Sequence, residues 1–156
     1  MSSTSKQVVI TTPSLTDKGG VASFINAVFP FLQAKQPISL LEIGLTHGQS
    51  KYWYFLSDQV RLNRCIADKP CIVHVNPSLN LKSFIRDGLF ICQAKYRQLP
   101  VLDFFHGWNK QFEQRVNRTL LWFFRQTFGK ADAFVVLASD FKNVLRGWGV
   151  VQPIYL

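Results

Sequence analysis

A chain of 156 residues has room for one domain with a single core and is too short for two ordinary ones. With 47% hydrophobic and 17% charged residues it is neither a disordered chain nor a helical bundle with a wet exterior, and the balance fits a sheet covered on both faces. The net charge of +9 favours an anionic partner, which leaves a phosphate-bearing ligand, an acidic lipid surface or nucleic acid; the basic residues are spread along the chain instead of blocked, which argues against nucleic acid.

Val8-Val9-Ile10 lies in an apolar run from Gln7 to Thr12 that is stopped by Pro13, and its β-branched content predicts a buried first strand. After a loop from Ser14 to Gly19, the stretch Gly20 to Gln33 places Val21, Phe24, Ile25, Val28 and Phe31 or Leu32 at helical spacing, with Pro30 expected to kink or shorten the helix. Ile38 to Leu45 is the next strand. Residues 46–67 are the least legible: Tyr52-Trp53-Tyr54-Phe55 fits strand or helix, while Asp58 to Ala67 looks helical.

Cys71 to Val75 is a third strand, ended by Asn76-Pro77. Ser78 is suited to cap a helix to about Arg97, with Leu81, Phe84, Ile85, Gly88, Ile91 and Cys92 on one face and Lys82, Arg86 and Lys95 largely elsewhere. Pro100 to Phe105 makes a fourth strand, Asn109 caps a helix to about Thr127, and Ala133 to Leu137 makes a fifth strand. Ser139 caps a short helix ending near Gly147 or Gly149, and Pro153 begins a sixth strand.

Strands alternating with helices through short loops predict an α/β fold, a Rossmann-like doubly wound parallel sheet with helices on both faces, spanning residues 1–156 as one domain. The sequence stops at Ile154-Tyr155-Leu156 inside an apolar strand, so it reads as part of a longer protein. Cys65, Cys71 and Cys92 are odd in number and include no CxxC pair, which favours reduced thiols over disulfides. Met1 to Lys6 lacks the apolar core of a signal peptide, and no apolar run nears the ~18 residues of a spanning helix, so a cytoplasmic protein is expected.

Ligands of such sheets sit outside the carboxyl ends of the strands. Thr16-Asp17-Lys18-Gly19-Gly20-Val21 puts two glycines at a helix entrance, where backbone N–H groups can meet a phosphate; the alternative is a tight turn, and the dinucleotide GxGxxG pattern is absent. His106-Gly107-Trp108 follows the fourth strand, where His106 could bond a substrate hydroxyl and Gly107 leave room for a ligand, unless the histidine is structural. In His74-Val75-Asn76-Pro77-Ser78 the residues Asn76 and Ser78 are expected as exposed polar groups and His74 as a core residue. His47, His74 and His106 are scattered, with no ligand motif, nucleophilic triad or P-loop, so no metal is expected.

Gly19-Gly20-Val21 after the first strand, His74-Val75-Asn76-Pro77-Ser78, Phe105-His106-Gly107, and Ala131-Asp132-Ala133-Phe134-Val135-Val136-Leu137-Ala138-Ser139 with Phe141-Lys142 and Trp148-Gly149 downstream follow one another on successive strand ends. In that order they resemble the N-terminal domain of GT-B retaining glycosyltransferases of family 4. The resemblance covers essentially the whole chain and rests on order and spacing, since no single motif is specific.

It implies that Gly20, with Gly19, lies against the diphosphate of a nucleotide-sugar donor and that His106 contacts the transferring sugar. Asp17, Lys18, Asn76 and Ser78 would line the acceptor side. The groups that hold the nucleotide come, in the family, from a C-terminal domain that this chain lacks, so the chain alone is expected not to catalyse transfer. The implied reaction moves a sugar to a glycan or lipid-linked acceptor with retention, without metal or other cofactor, by front-face attack in the absence of a placed carboxylate nucleophile. The rival expectation is a non-catalytic nucleotide- or nucleic-acid-binding α/β module.

Between Asn109 and Thr127, helical spacing sets Phe112, Val116, Leu120, Phe123 and Phe124 on one side and Arg115, Arg118, Trp122 and Arg125 on the other. The second face is a basic stripe holding an aromatic. It suits either adsorption to anionic headgroups on the inner face of a membrane or simple solvation.

Overall fold

The computed structural model describes residues 7–44, 51–67 and 71–156. In chain order the elements are β1 (Gln7–Thr12), α1 (Gly20–Gln33), β2 (Ile38–Glu42), α2 (Lys51–Cys65), β3 (Cys71–Val75), β4 (Ser78–Leu79), α3 (Leu81–Tyr96), β5 (Val101–Phe105) and β6 (Gly107–Trp108). There follow α4 (Lys110–Arg115), a π-helical turn (Val116–Leu120), α5 (Leu121–Gln126), a 3-10 turn (Phe128–Lys130), β7 (Ala133–Val136), α6 (Ser139–Gly147) and β8 (Ile154–Tyr155).

Six strands pair in parallel in the order β2-β1-β3-β5-β7-β8, and β4 and β6 form a separate parallel pair. This is the Rossmann-like α/β architecture that the alternation of elements predicts. Pleating divides the core in two. Val9, Val73, Val75, Phe105 and Phe134 share one cluster with Leu62 of α2, Phe84 and Phe90 of α3, Phe124 of α5 and Leu145 of α6. Val8 and Ile10 belong to the other, with Ile25 of α1 and, around it, Val21, Phe29 and Leu32. Each fully buried phenylalanine, such as Phe84, Phe90 and Phe134, contributes about 1.5–3 kcal/mol.

Several local expectations are corrected. β2 ends at Glu42, and Leu45 lies outside the described residues. The segment that fitted strand or helix is helical, as part of α2. Pro30 sits inside α1 without shortening it, and Phe24 of that helix is exposed while Ala22 and Ile25 are buried. Ser78 does not cap α3: it enters the short β4, and Asn80 takes the capping place, its side chain accepting from the Ser83 N–H at 3.1 Å. Ser139 is the first residue of α6, and the N-cap is Ala138, with no side-chain cap.

On α3 the buried face runs through Phe84, Asp87, Phe90 and Ile91, leaving Leu81 exposed. Gly88 is needed there, because a Cβ would stand 2.8 Å from the Phe123 ring; its absence lets α3 and α5 approach closely. Asn109 caps α4 as expected, accepting from the N–H groups of Gln111 and Phe112 at 2.9 and 3.0 Å. The chain turns out of α6 through Gly149, whose φ of +98° is left-handed.

Candidate functional site

β1 has β2 on one side and β3 on the other, so the strand order reverses between β1 and β3. At such a point the connections leave to opposite faces and open a crevice at the carboxyl ends of the strands. Here the crevice holds two adjoining cavities. One, of about 330 Å³, is lined by Gly20, Val21, Phe24, Ser78, His106, Gly107 and Leu137. The other, of about 220 Å³, shares Val21 and Ser78 with it and extends toward α3. Three stretches far apart in sequence thus contribute Gly20, Ser78 and His106 to one pocket.

The loop before α1 carries its own turn upstream of the glycines, with Asp17 N–H donating to Ser14 O at 2.9 Å, and Asn26 Nδ2 ties Leu15 O to α1. Gly19 is extended, with φ −166°, a conformation open to any residue, and an added Cβ at Gly19 or Gly20 would meet nothing within 4 Å. Neither turn geometry nor packing within the chain demands these glycines. What they leave is open space over a helix N-terminus with no side-chain cap, where the N–H groups of Gly20, Val21 and Ala22 have no partner among the described residues. Asp17 and Lys18 are exposed in the same loop and line neither cavity.

Asn76 is not the exposed group the sequence suggests. It is 5% exposed, its Nδ2 donates to Thr11 O at 2.8 Å, its N–H reaches Thr11 Oγ1 at 3.4 Å, and its Oδ1 lies 2.9 Å from His106 Nε2. Its side chain therefore joins the end of β1 to the histidine after β5. The His106 ring packs on Phe104, with centroids 3.8 Å apart, and on Phe24 at 5.0 Å. Burial lowers its pKa from 6.5 to about 4, so the ring is neutral at pH 7.

His74, one strand away, stacks on Phe104 at 6.3 Å, and its Nε2 is buried without a partner. Burial first, and the nearby His106 second, lower its pKa to about 4 as well, against an opposing contribution from Asn76. Gly107 lines the cavity, and it also makes room within the chain. A Cβ there would stand 2.9 Å from Ser78 Oγ, so the glycine is what lets β4 and β6 come together.

On the α3 side, residues without a role in the sequence reading line the second cavity. Arg86 was expected largely off the packed face, yet its side chain is only 13% exposed, because the fully buried Asp87 requires a counter-charge. Arg86 Nε and Nη2 donate to the two Asp87 oxygens at 2.7 and 3.0 Å, and Ser83 Oγ donates to Asp87 Oδ2 at 2.5 Å. Lys82 stays exposed at the mouth. Elsewhere Arg115, Arg118, Trp122 and Arg125 are all exposed, but Arg125 Nε is held by Trp148 O at 3.0 Å.

Among the described residues no group of three His, Cys, Asp or Glu side chains is placed to hold a metal ion, and no helix is long and apolar enough to cross a membrane. The fold defines a parallel α/β domain with a crevice at its topological switch point. No family model matches the chain, and no curated protein matches it.

Proposed function

We propose that this chain is the acceptor-side domain of a retaining glycosyltransferase, moving a sugar from a nucleotide-sugar to a glycan or lipid-linked acceptor in the synthesis of cell-surface polysaccharide or glycolipid. The observation that carries the reading is the convergence of Gly20, Ser78 and His106 on one cavity at the switch point, with His106 held by Asn76. These are residues on which the resemblance to family 4 glycosyltransferases rests. In this reading the donor diphosphate lies over the uncapped start of α1, where the N–H groups and helix dipole favour negative charge.

His106, neutral and fixed in orientation, accepts a hydrogen bond from a hydroxyl of the transferring sugar. The acceptor hydroxyl approaches from the Ser78 side. A second domain supplies the cations that offset charge on the leaving diphosphate, so no metal is required, and this chain alone does not turn over. The protein works in the cytoplasm, with the Arg115–Arg118–Trp122 stripe resting on an anionic membrane surface.

The experiment is a transfer assay of the full-length protein with a panel of nucleotide-sugars in the presence of EDTA, reading the anomeric configuration of the product by proton NMR. The reading predicts a glycoside with the donor's configuration. Failure to release nucleoside diphosphate from every donor, alongside saturable nucleotide binding, would favour a non-catalytic nucleotide-binding module.

A further inference from the structure

The 220 Å³ cavity on the α3 side of Ser78 has a chemistry of its own. Pro13, Val21 and Ile43 form its apolar wall, and the ionisable groups that line it among the described residues, Lys82 and Arg86, are both cations. Arg86 is a fixed charge, since Nε and Nη2 are bonded to Asp87 while Nη1 makes no hydrogen bond among the described residues. Lys82 is exposed and makes no ion pair among the described residues. Two buried carboxylates stand behind this pair: Asp87, bonded to Arg86 and Ser83, and Asp58, which accepts from the Gly44 N–H at 2.9 Å and also feels the Arg86 charge.

The backbone adds to this. Asn80 takes the Ser83 N–H, while the N–H of the lining residue Lys82, in the first turn of the 16-residue α3, has no partner among the described residues. The hydroxyl of Ser78 and the amide of Asn80 also line the cavity. At about 220 Å³ the cavity has room for a phosphate with part of the ring or chain that bears it.

We propose that this cavity binds a phosphate group of the acceptor, so that the acceptor is a phosphorylated sugar or a phosphate-bearing lipid headgroup. The assignment of the phosphate to an acceptor rests on the transferase reading. Binding of the phosphate itself does not. Lys82 supplies the charge, its N–H and the Ser78 hydroxyl supply donors, and Arg86, whose charge is balanced by Asp87, offers only the Nη1 group that Asp87 does not take.

The test is an amide NMR titration of the 156-residue chain with inorganic phosphate, at ionic strength held constant with sodium chloride. Saturable shifts at Ser78 and Lys82 are expected, with affinity falling at least ~10-fold in Lys82→Gln and unchanged in Arg115→Gln. Parallel titrations with glucose 6-phosphate and with vesicles of phosphatidylcholine and phosphatidic acid separate a soluble from a lipid source, by which of the two shows the Lys82 dependence. Shifts no larger than those caused by chloride, or equal affinity in Lys82→Gln, would overturn the proposal. Transfer activity plays no part in this readout, so its failure leaves the transferase reading to the transfer assay.

Discussion

Asn76 Oδ1 lies 2.9 Å from His106 Nε2 while Asn76 Nδ2 donates to Thr11 O at 2.8 Å. A carbonyl only accepts, so the NH₂ end of the amide is fixed by Thr11 and the oxygen end must accept from the histidine. Neutral His106 is therefore the Nε2–H tautomer, with Nδ1 left as its acceptor. A long-range proton–nitrogen correlation spectrum at pH 7 is expected to show Nε2 protonated and Nδ1 bare. In Asn76→Ala a mixture of tautomers should appear; an unchanged spectrum would mean that Asn76 does not set the ring.

Both His74 and His106 have pKa values lowered from 6.5 to about 4, chiefly by burial. Between those values the unfolded chain takes up protons that the folded chain refuses, so stability is fully present above pH 6.5 and is lost as pH falls toward 4. Urea unfolding midpoints should decline across that interval. His74→Leu, which keeps an apolar contact for Phe104, should flatten the decline, and an equally steep curve in that variant would show that His74 is not one of the titrating groups.

Asp103 presents the opposite sign. It is fully buried, both carboxyl oxygens lack partners among the described residues, and desolvation, followed by repulsion from Asp87, raises its pKa well above 3.8. Folding then favours the protonated acid, and stability drains away as pH rises from 3.8 toward the raised value. Asp103→Asn keeps the shape and cannot titrate. Its stability relative to wild type should therefore grow with pH, by about 1.4 kcal/mol for each pH unit between 3.8 and the raised value. A difference that stays constant with pH would place an ordinary carboxyl at this position.

The exposed Arg115, Arg118 and Trp122, the last 65% exposed, give the membrane proposal a direct test. Arg125 is discounted because its guanidinium is engaged by Trp148 O. At ~1 kcal/mol for each basic residue near an anionic surface, Arg115→Gln with Arg118→Gln should weaken partitioning onto anionic vesicles by about 30-fold at low salt. Vesicle binding that is absent in wild type, or indifferent to both substitutions, would leave a solvated helix face.

The strands and most helix limits were legible because short apolar β-branched runs and 3.6-residue spacing report burial directly, as in Val8-Val9-Ile10 and in α1. The positions of Gly20, Ser78 and His106 could be placed at strand ends for the same reason. Their surroundings could not. Asn76 is buried by a partner 65 residues away, Gly107 is required by the close approach of Ser78, and the π-helical turn at Val116–Leu120 breaks the period on which a helical face is drawn. Arg86 and Asp87 are adjacent on α3 and look like solvated charges until the burial of Asp87 is known.

The most direct test of the proposed transfer is turnover of a nucleotide-sugar by the full-length protein, compared between wild type and His106→Ala, with Asn76→Ala alongside. In the proposed reaction, loss of the hydrogen bond from the transferring sugar to His106 should lower kcat by about 100-fold, and the Asn76 variant should show a smaller fall in kcat. Turnover in His106→Ala equal to wild type would contradict the placement of His106 at the reaction centre.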